Sequence, residues 1–302
     1  MFEFLKKITL RASYECQESG TLPGYLGSTV RGILGHCIRD FCCDRQQEQC
    51  FRCEKRGTCL YVQCFSNTGG EAGAVNPYTL YVHGQGKENW EKGDVCTFDL
   101  TLLGKAAEQA GVYLDALQAV DQKGWGAKRL SFRLRQVIEP ESGTLIYAGG
   151  KSWIRNLYPK PLMIADRKVS YACLTFDTPL RIVSGGDLFE TLPFEVLMQF
   201  MIRRISLLTT AYTDFCMEWD EENLLAHAKQ IRIVCEDWKD VEFSRYSMNQ
   251  KTGKLELPSK TGWVLYEGDL SGFVPILEVG RYLRVGKGAT IGFGHYEISY
   301  DR

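Results

Sequence analysis

The order of strand-like and helix-like runs in this sequence predicts an α+β fold made of two βαββαβ units in tandem. Two observations carry that expectation. Runs of apolar–polar alternation and runs of helical spacing follow one another as β-α-β-β-α-β in the first half, and the same order returns in the second. Between the two lies a segment, 156–167, in which Pro159 and Pro161 read as a linker.

The elements follow in order. Phe2 to Tyr14 alternates as a strand, and Leu22-Pro23-Gly24 breaks it. From Tyr25 on, Leu26, Val30, Ile33, Leu34, Cys37, Ile38 and Phe41 recur at helical spacing, leaving Ser28, Arg31, Gly32, Gly35, His36 and Arg39 on the other face. Tyr78 to Val82 and Val95 to Leu102 read as a hairpin, Ala106 to Val120 as a helix, and Gly124-Trp125-Gly126 as a break before a strand from Leu130 to Val137. In the second half, Val169 to Ile182 is the first strand and Phe194 to Tyr212 the first helix. Ile231 to Cys235 and Trp263 to Tyr266 are the next strands, Phe273 to Leu283 the second helix, and Thr290 to Tyr300 the last strand. Helices packed on one face of each antiparallel sheet make two ferredoxin-like (RRM-like) domains, 1–160 and 161–302, the first carrying a cysteine-rich insertion at 42–65.

At 302 residues and 44% apolar content the chain can bury two cores. No apolar run suits a signal peptide or a membrane span, so a cytoplasmic protein without membrane contact is expected. A formal charge of −1 argues against a uniformly basic surface. The charge is unevenly spread, with ten basic residues against three acidic between Lys123 and Lys168, which fits either a solvated face or a polyanion-facing one.

Half of the twelve cysteines fall between Cys42 and Cys64. In a reducing compartment such clustering points to metal. Cys43, Cys50, Cys53 and Cys59 form a C-x6-C-x2-C-x5-C array in a polar segment that cannot make a core of its own. Four thiolates around a structural zinc would fold it; an iron–sulfur cluster on the same ligands and free thiols are the other readings, with Cys42 and Cys64 as alternate ligands.

Gly286, Gly288, Gly292 and Gly294 put four glycines into nine residues. The run is not a P-loop, because Gly288 stands where Ser or Thr is needed and Arg281 where a glycine is needed. Nor is it a dinucleotide turn, which follows a strand and opens a helix, whereas this one does the reverse. Two readings remain open: a purely structural turn, or a loop whose amides, with Arg281, Arg284 and Lys287, track a phosphate backbone.

The residues from Gly262 to Leu270, Leu277 to Gly280, the glycine run and Gly294-His295-Tyr296-Glu297 resemble the C-terminal signature of the CRISPR-associated RAMP endoribonucleases of the Cas-six family. Arg245-Tyr246-Ser247 fits the same pattern, and Leu26 to Arg39 and Phe98 to Gly126 are similar to that family's first helix and its strand, helix and Gly-x-Gly turn. Some family members also carry a cysteine-rich insertion after the first helix. The resemblance implies a metal-independent endoribonuclease that cuts CRISPR precursor RNA within repeats to give crRNA. The alternative is a catalytically inactive crRNA-binding subunit of a CRISPR effector complex. Implied partners are the repeat RNA and other CRISPR subunits. Metal-free RNA cleavage needs a base, an acid and a cation, and histidine is suited to neutral pH. Of the four histidines, His36 is the candidate base or acid, because the family's catalytic histidine often sits in or near this helix and Gly32 leaves room one turn away. Tyr25 would orient or protonate, and Arg31 or Arg39 would stabilise charge developing on the phosphate. Arg31, Arg245, Arg281, Arg284, Lys287 and the four loop glycines are the expected RNA contacts.

Overall fold

Strand β1, Lys6–Cys16, runs through the middle of the first sheet because its faces differ: Leu10, Ala12 and Tyr14 are buried on one, and Arg11, Ser13 and Glu15 stand on the other. The computed structural model describes residues 1–45, 48–66, 75–246 and 254–301. The chain divides into two compact units: Phe4–Pro161 with Ala211–Thr213, and Met1–Glu3 with Leu162–Thr210 and Asp214–Arg302. Among the described residues no helix is long and apolar enough to cross a membrane.

In the N-terminal unit β1 is followed by α1 (Gly27–Cys42), β2 (Tyr78–Val82), β3 (Val95–Leu103), α2 (Ala110–Ala119) and β4 (Phe132–Glu139). The sheet order is β2-β3-β1-β4, every neighbour antiparallel, which is the ferredoxin-like arrangement expected. β5 (Thr144–Ala148) and β6 (Lys151–Ser152) extend the sheet beyond β4. Part of the expected linker is also sheet: β7, Lys160–Pro161, pairs with Lys6 and Lys7 of β1. Proline is tolerated there because a two-residue edge pairing leaves its missing N–H facing outward.

The face of β1 toward the helices is aromatic. Tyr14 stacks on Phe98 of β3 at 5.7 Å, and its hydroxyl donates to the Leu117 carbonyl of α2 at 2.7 Å. Trp125 lies against Tyr14 at 5.4 Å and stacks on Phe132 of β4 at 4.4 Å. Each such ring contributes roughly 1.5–3 kcal/mol by burial. Across the other face run cross-strand pairs: Thr9 with Thr101, Ser13 with Thr97, and Arg11 with Asp99. Arg11 donates twice to the Asp99 carboxylate, at 2.7 and 2.8 Å, and His83 lies 3.2 Å from it. Burial pushes the Asp99 carboxyl up, but the Arg11 and His83 hydrogen bonds outweigh it and hold the group below its ordinary value.

The C-terminal unit repeats the topology with β8 (Tyr171–Leu180), α3 (Phe194–Tyr212), α4 (Glu221–Ala228), β9 (Arg232–Val241), β10 (Ser259–Glu267), α5 (Val274–Leu283) and β11 (Glu297–Tyr300). Its order is β9-β10-β8-β11, again antiparallel. Phe194 meets Tyr266 of β10 at 4.9 Å and Phe273 at 5.0 Å, and the Tyr266 hydroxyl donates to the Leu192 carbonyl.

The glycine-rich loop differs from the expectation of free amides. The amides of Val285, Lys287 and Gly294 donate to Gly294, Arg181 and Pro179, stitching the loop to itself and to the end of β8. Those of Arg284, Ile291, Gly292 and Phe293 are likewise taken by chain carbonyls. Gly292 and Gly294 are buried, Gly286 and Gly288 half-buried, and Lys287 exposed. All four glycines have positive φ. A Cβ at Gly294 would collide with the Val285 carbonyl, and one at Gly286 with that of Arg181. The structural reading therefore accounts for the glycines. Their left-handed turns also delay the last strand, which starts at Glu297; Thr290 lies in a 3-10 turn, Ala289–Ile291.

Two outcomes test this reading. Gly294→Ala destabilises the protein by about 2–4 kcal/mol in chemical denaturation, because φ is positive and a carbonyl occupies the space; a change under about 0.5 kcal/mol would contradict it. Asp99 has a depressed folded pKa, so its stabilising contribution is present above the unfolded value of about 3.9 and is lost as pH falls through the folded one. The wild-type denaturation midpoint falls more steeply below about pH 4 than that of Asp99→Asn, and parallel curves would exclude the pair as the cause.

Candidate active site

Helix α1 presents a buried stripe of Val30, Ile33, Leu34, Cys37 and Ile38, so the residues between them face outward. His36 is exposed there, and a Cβ on Gly32, one turn earlier, would meet nothing within 4 Å. The surface beside His36 is thus open backbone, able to let another chain approach. One turn later, Asp40 accepts from Lys123 at 2.6 Å, which ties α1 to the segment entering the Trp125 turn. Lys123 was one member of a basic run in the sequence; its place one helical turn from His36 depends on a contact 83 residues apart, which no local pattern reveals.

The other expected residues are distributed as follows. Arg39, three residues after His36 and on the same side of the helix, donates to the Glu48 carbonyl at 3.3 Å. The Arg31 guanidinium lies over the Phe65 ring, 5.4 Å from its centre. Tyr25 precedes the helix and is half-buried. In the C-terminal unit, Arg281 pairs with Glu278 and Glu297, at 3.2 and 3.1 Å. Arg284 is only 5% exposed and donates to the Arg281 carbonyl, so it is a part of the interior, not a surface contact. Arg245 lies in a short strand, Ser244–Tyr246, with its side chain outside the described residues, as is Ser247.

The remaining histidines have other surroundings. His83 is held by Asp99 and packs against Tyr81 at 4.7 Å. His295 meets Asp177 at 2.5 Å; burial lowers its proton affinity, Asp177 works against that, and Arg284 adds to the lowering. His227 lines a cleft with Trp219, Asp220, Asp269 and Phe273 that contains no lysine or arginine, so it does not suit phosphate.

The cysteine segment contributes no metal-ligand group among the described residues. Among the described residues no three Cys, His, Asp or Glu side chains converge as ligands. Cys43, Cys50, Cys53 and Cys59 are half-buried along short turns, Cys50–Arg52 and Glu54–Gly57. The segment instead reaches the core at its far end: Phe65 stacks on Tyr78 at 4.8 Å and fills the space over Gly35, and Cys64 is buried beside it.

Comparison with known proteins bears on this arrangement. The family of the CRISPR-associated endoribonuclease Cas6 matches residues 174–296, and a family described as an N-terminal domain matches 5–159. No curated protein matches the chain. Among solved structures, a partial Cas6-RT-Cas1–Cas2 complex superposes with a TM-score of 0.65 at 11% identity, covering 99% of this chain and 47% of that one, so the chain spans about half of that relative's length. A Cas6 product complex gives 0.61 at 16% identity over 97% of this chain and 100% of the other. The Thermus thermophilus Cas6 gives 0.56 at 12% identity over 98% and 99%. At these identities the likeness is one of fold. Residues 174–296 thus carry the match to the family of the CRISPR-associated endoribonuclease Cas6, and the chain along its length shares the tandem ferredoxin-like fold of the Cas6 structures.

Proposed function

We propose that this protein processes CRISPR precursor RNA, cutting within the repeat at the outer face of α1. The observation that carries the reading is the exposed His36 beside the open Gly32 surface, with Arg39 and Lys123 supplying cations within one turn, in a chain that carries this family match. In the reaction a ribose 2′-hydroxyl attacks the adjacent phosphorus. The P–O5′ bond breaks, leaving a 2′,3′-cyclic phosphate and a 5′-hydroxyl. His36 takes the 2′ proton or delivers one to the departing 5′ oxygen, a contribution of roughly 10²–10⁴ in rate. In this proposal Arg39 and Lys123 stabilise the charge that develops on the non-bridging oxygens. No step requires a metal ion. On the C-terminal unit, exposed Lys287 and half-exposed Arg281 are the RNA contacts of this proposal. A CRISPR protein partner belongs to it too, since one relative of this fold is part of a Cas6-RT-Cas1–Cas2 complex.

The test is repeat RNA incubated with the protein in EDTA, with products resolved by length and end group. Discrete fragments ending in cyclic phosphate are expected; a mobility shift without cutting would instead identify a binding subunit. A repeat with one 2′-deoxy residue at the scissile position binds and is not cut, and its cleavage would rule out this attack. His36→Ala loses about 10²–10⁴ in cleavage rate while holding RNA with wild-type affinity; an unchanged rate would remove His36 from the reaction.

A further inference from the structure

The turn from Gly124 to Leu130 is more firmly built than a connection between α2 and β4 needs to be. Trp125 and Leu130 exchange backbone hydrogen bonds, at 2.7 and 2.9 Å, and the Arg129 amide donates to Gly126. Gly124 and Gly126 both have positive φ, and a Cβ at either would strike the Arg129 carbonyl or the Leu22 side chain. Beneath it Trp125 is 1% exposed, so the tip cannot shift without disturbing the core.

What this rigid base carries is charge. Ala127, Lys128 and Arg129 are exposed, and no acidic residue occurs from Gln122 to Phe132. Arg129 has φ +54, in the left-handed region where glycine or asparagine is relaxed and arginine is not. Arginine at a position whose backbone favours glycine is explained by its side chain, since the turn itself gains nothing from it. Among the described residues Lys128 reaches the Thr21 hydroxyl, at 3.4 Å. Lys123, entering the turn, is the residue bound to Asp40, so the basic tip is tied to α1 one helical turn from His36.

We infer that this turn is a phosphate clamp, in which Lys128 and Arg129 hold the RNA backbone beside the bond presented to His36 and Lys123 fixes the clamp to α1. The inference rests on the nuclease reading and adds to it a second point of grip on the same strand. Two cations on a rigid tip hold phosphates without reading bases, so the clamp sets where along the strand the reactive phosphate stops, independent of sequence.

The experiment measures affinity for repeat RNA carrying a 2′-deoxy residue at the scissile position, over a series of salt concentrations, for wild type and for Lys128→Ala combined with Arg129→Gly. Loss of two phosphate contacts weakens binding by about tenfold at low salt and makes the slope of log affinity against log salt shallower by about one to two units. Arg129→Gly alone, which relaxes the backbone and leaves the melting temperature at or above wild type, gives about half that change in slope. This single variant keeps the test readable if the double variant folds poorly. Wild-type affinity and slope in the variants would overturn the clamp while leaving the nuclease intact. If wild type itself neither binds nor cuts repeat RNA, the nuclease reading fails and the clamp with it.

Discussion

The N-terminal unit depends on the packing of one indole. Trp125 sits between Tyr14 of the central strand and Phe132 of the next, with Phe98 at 6.4 Å, so three strands and the turn that follows α2 are fixed against a single ring. Such a contact is stiff because aromatic faces and edges have preferred geometries and protein interiors leave no slack. Its effect reaches the surface: a turn anchored this way holds Lys123 against Asp40, and Asp40 belongs to the helix that carries His36. The Lys123–Asp40 pair thus links the turn above the core to α1 through one side chain on each side.

The two units share a topology and differ in what their loops do. In the N-terminal unit the outward face of α1 and the basic turn are left open to solvent. In the C-terminal unit the most conspicuous loop is closed on itself, its amides used by neighbouring carbonyls and its glycines occupied by backbone that passes close. One unit keeps its polar groups available and the other consumes them in holding its last strand beside the first. The same fold thus supports an open polar surface in one half and a self-contained closure in the other.

The sequence made the fold legible because helix and sheet signals have different periods and the order of periods was unambiguous. α3 was expected at Phe194 to Tyr212 and lies there; β2 was expected at Tyr78 to Val82 and lies there. Failures came where the deciding contact is distant. Lys160 and Pro161 read as linker because proline breaks local pattern, yet they pair with residues more than 150 positions earlier. For the cysteines, spacing left zinc, a cluster and free thiols open because it cannot say whether thiols converge, and nothing local announced that Phe65 would find Gly35 and Tyr78. Glycine spacing revealed positive φ and not which atom approaches. For the candidate site, the polar face of α1 was legible, including His36, whereas the contact of Lys123 with Asp40 required the folded chain.

The anchoring of the cysteine segment at its two ends has a consequence for how this part of the chain tolerates change. Ile38 and Cys42 hold it where the helix ends, Leu60 to Phe65 hold it where it rejoins the core, and the described residues between lie at the surface. Between two fixed posts, added or deleted residues alter only an external arc, and the free energy of closing a longer arc grows slowly with its length. This is the stretch where a peptide tag or a small foreign domain can be spliced in while the helix above it keeps its seat.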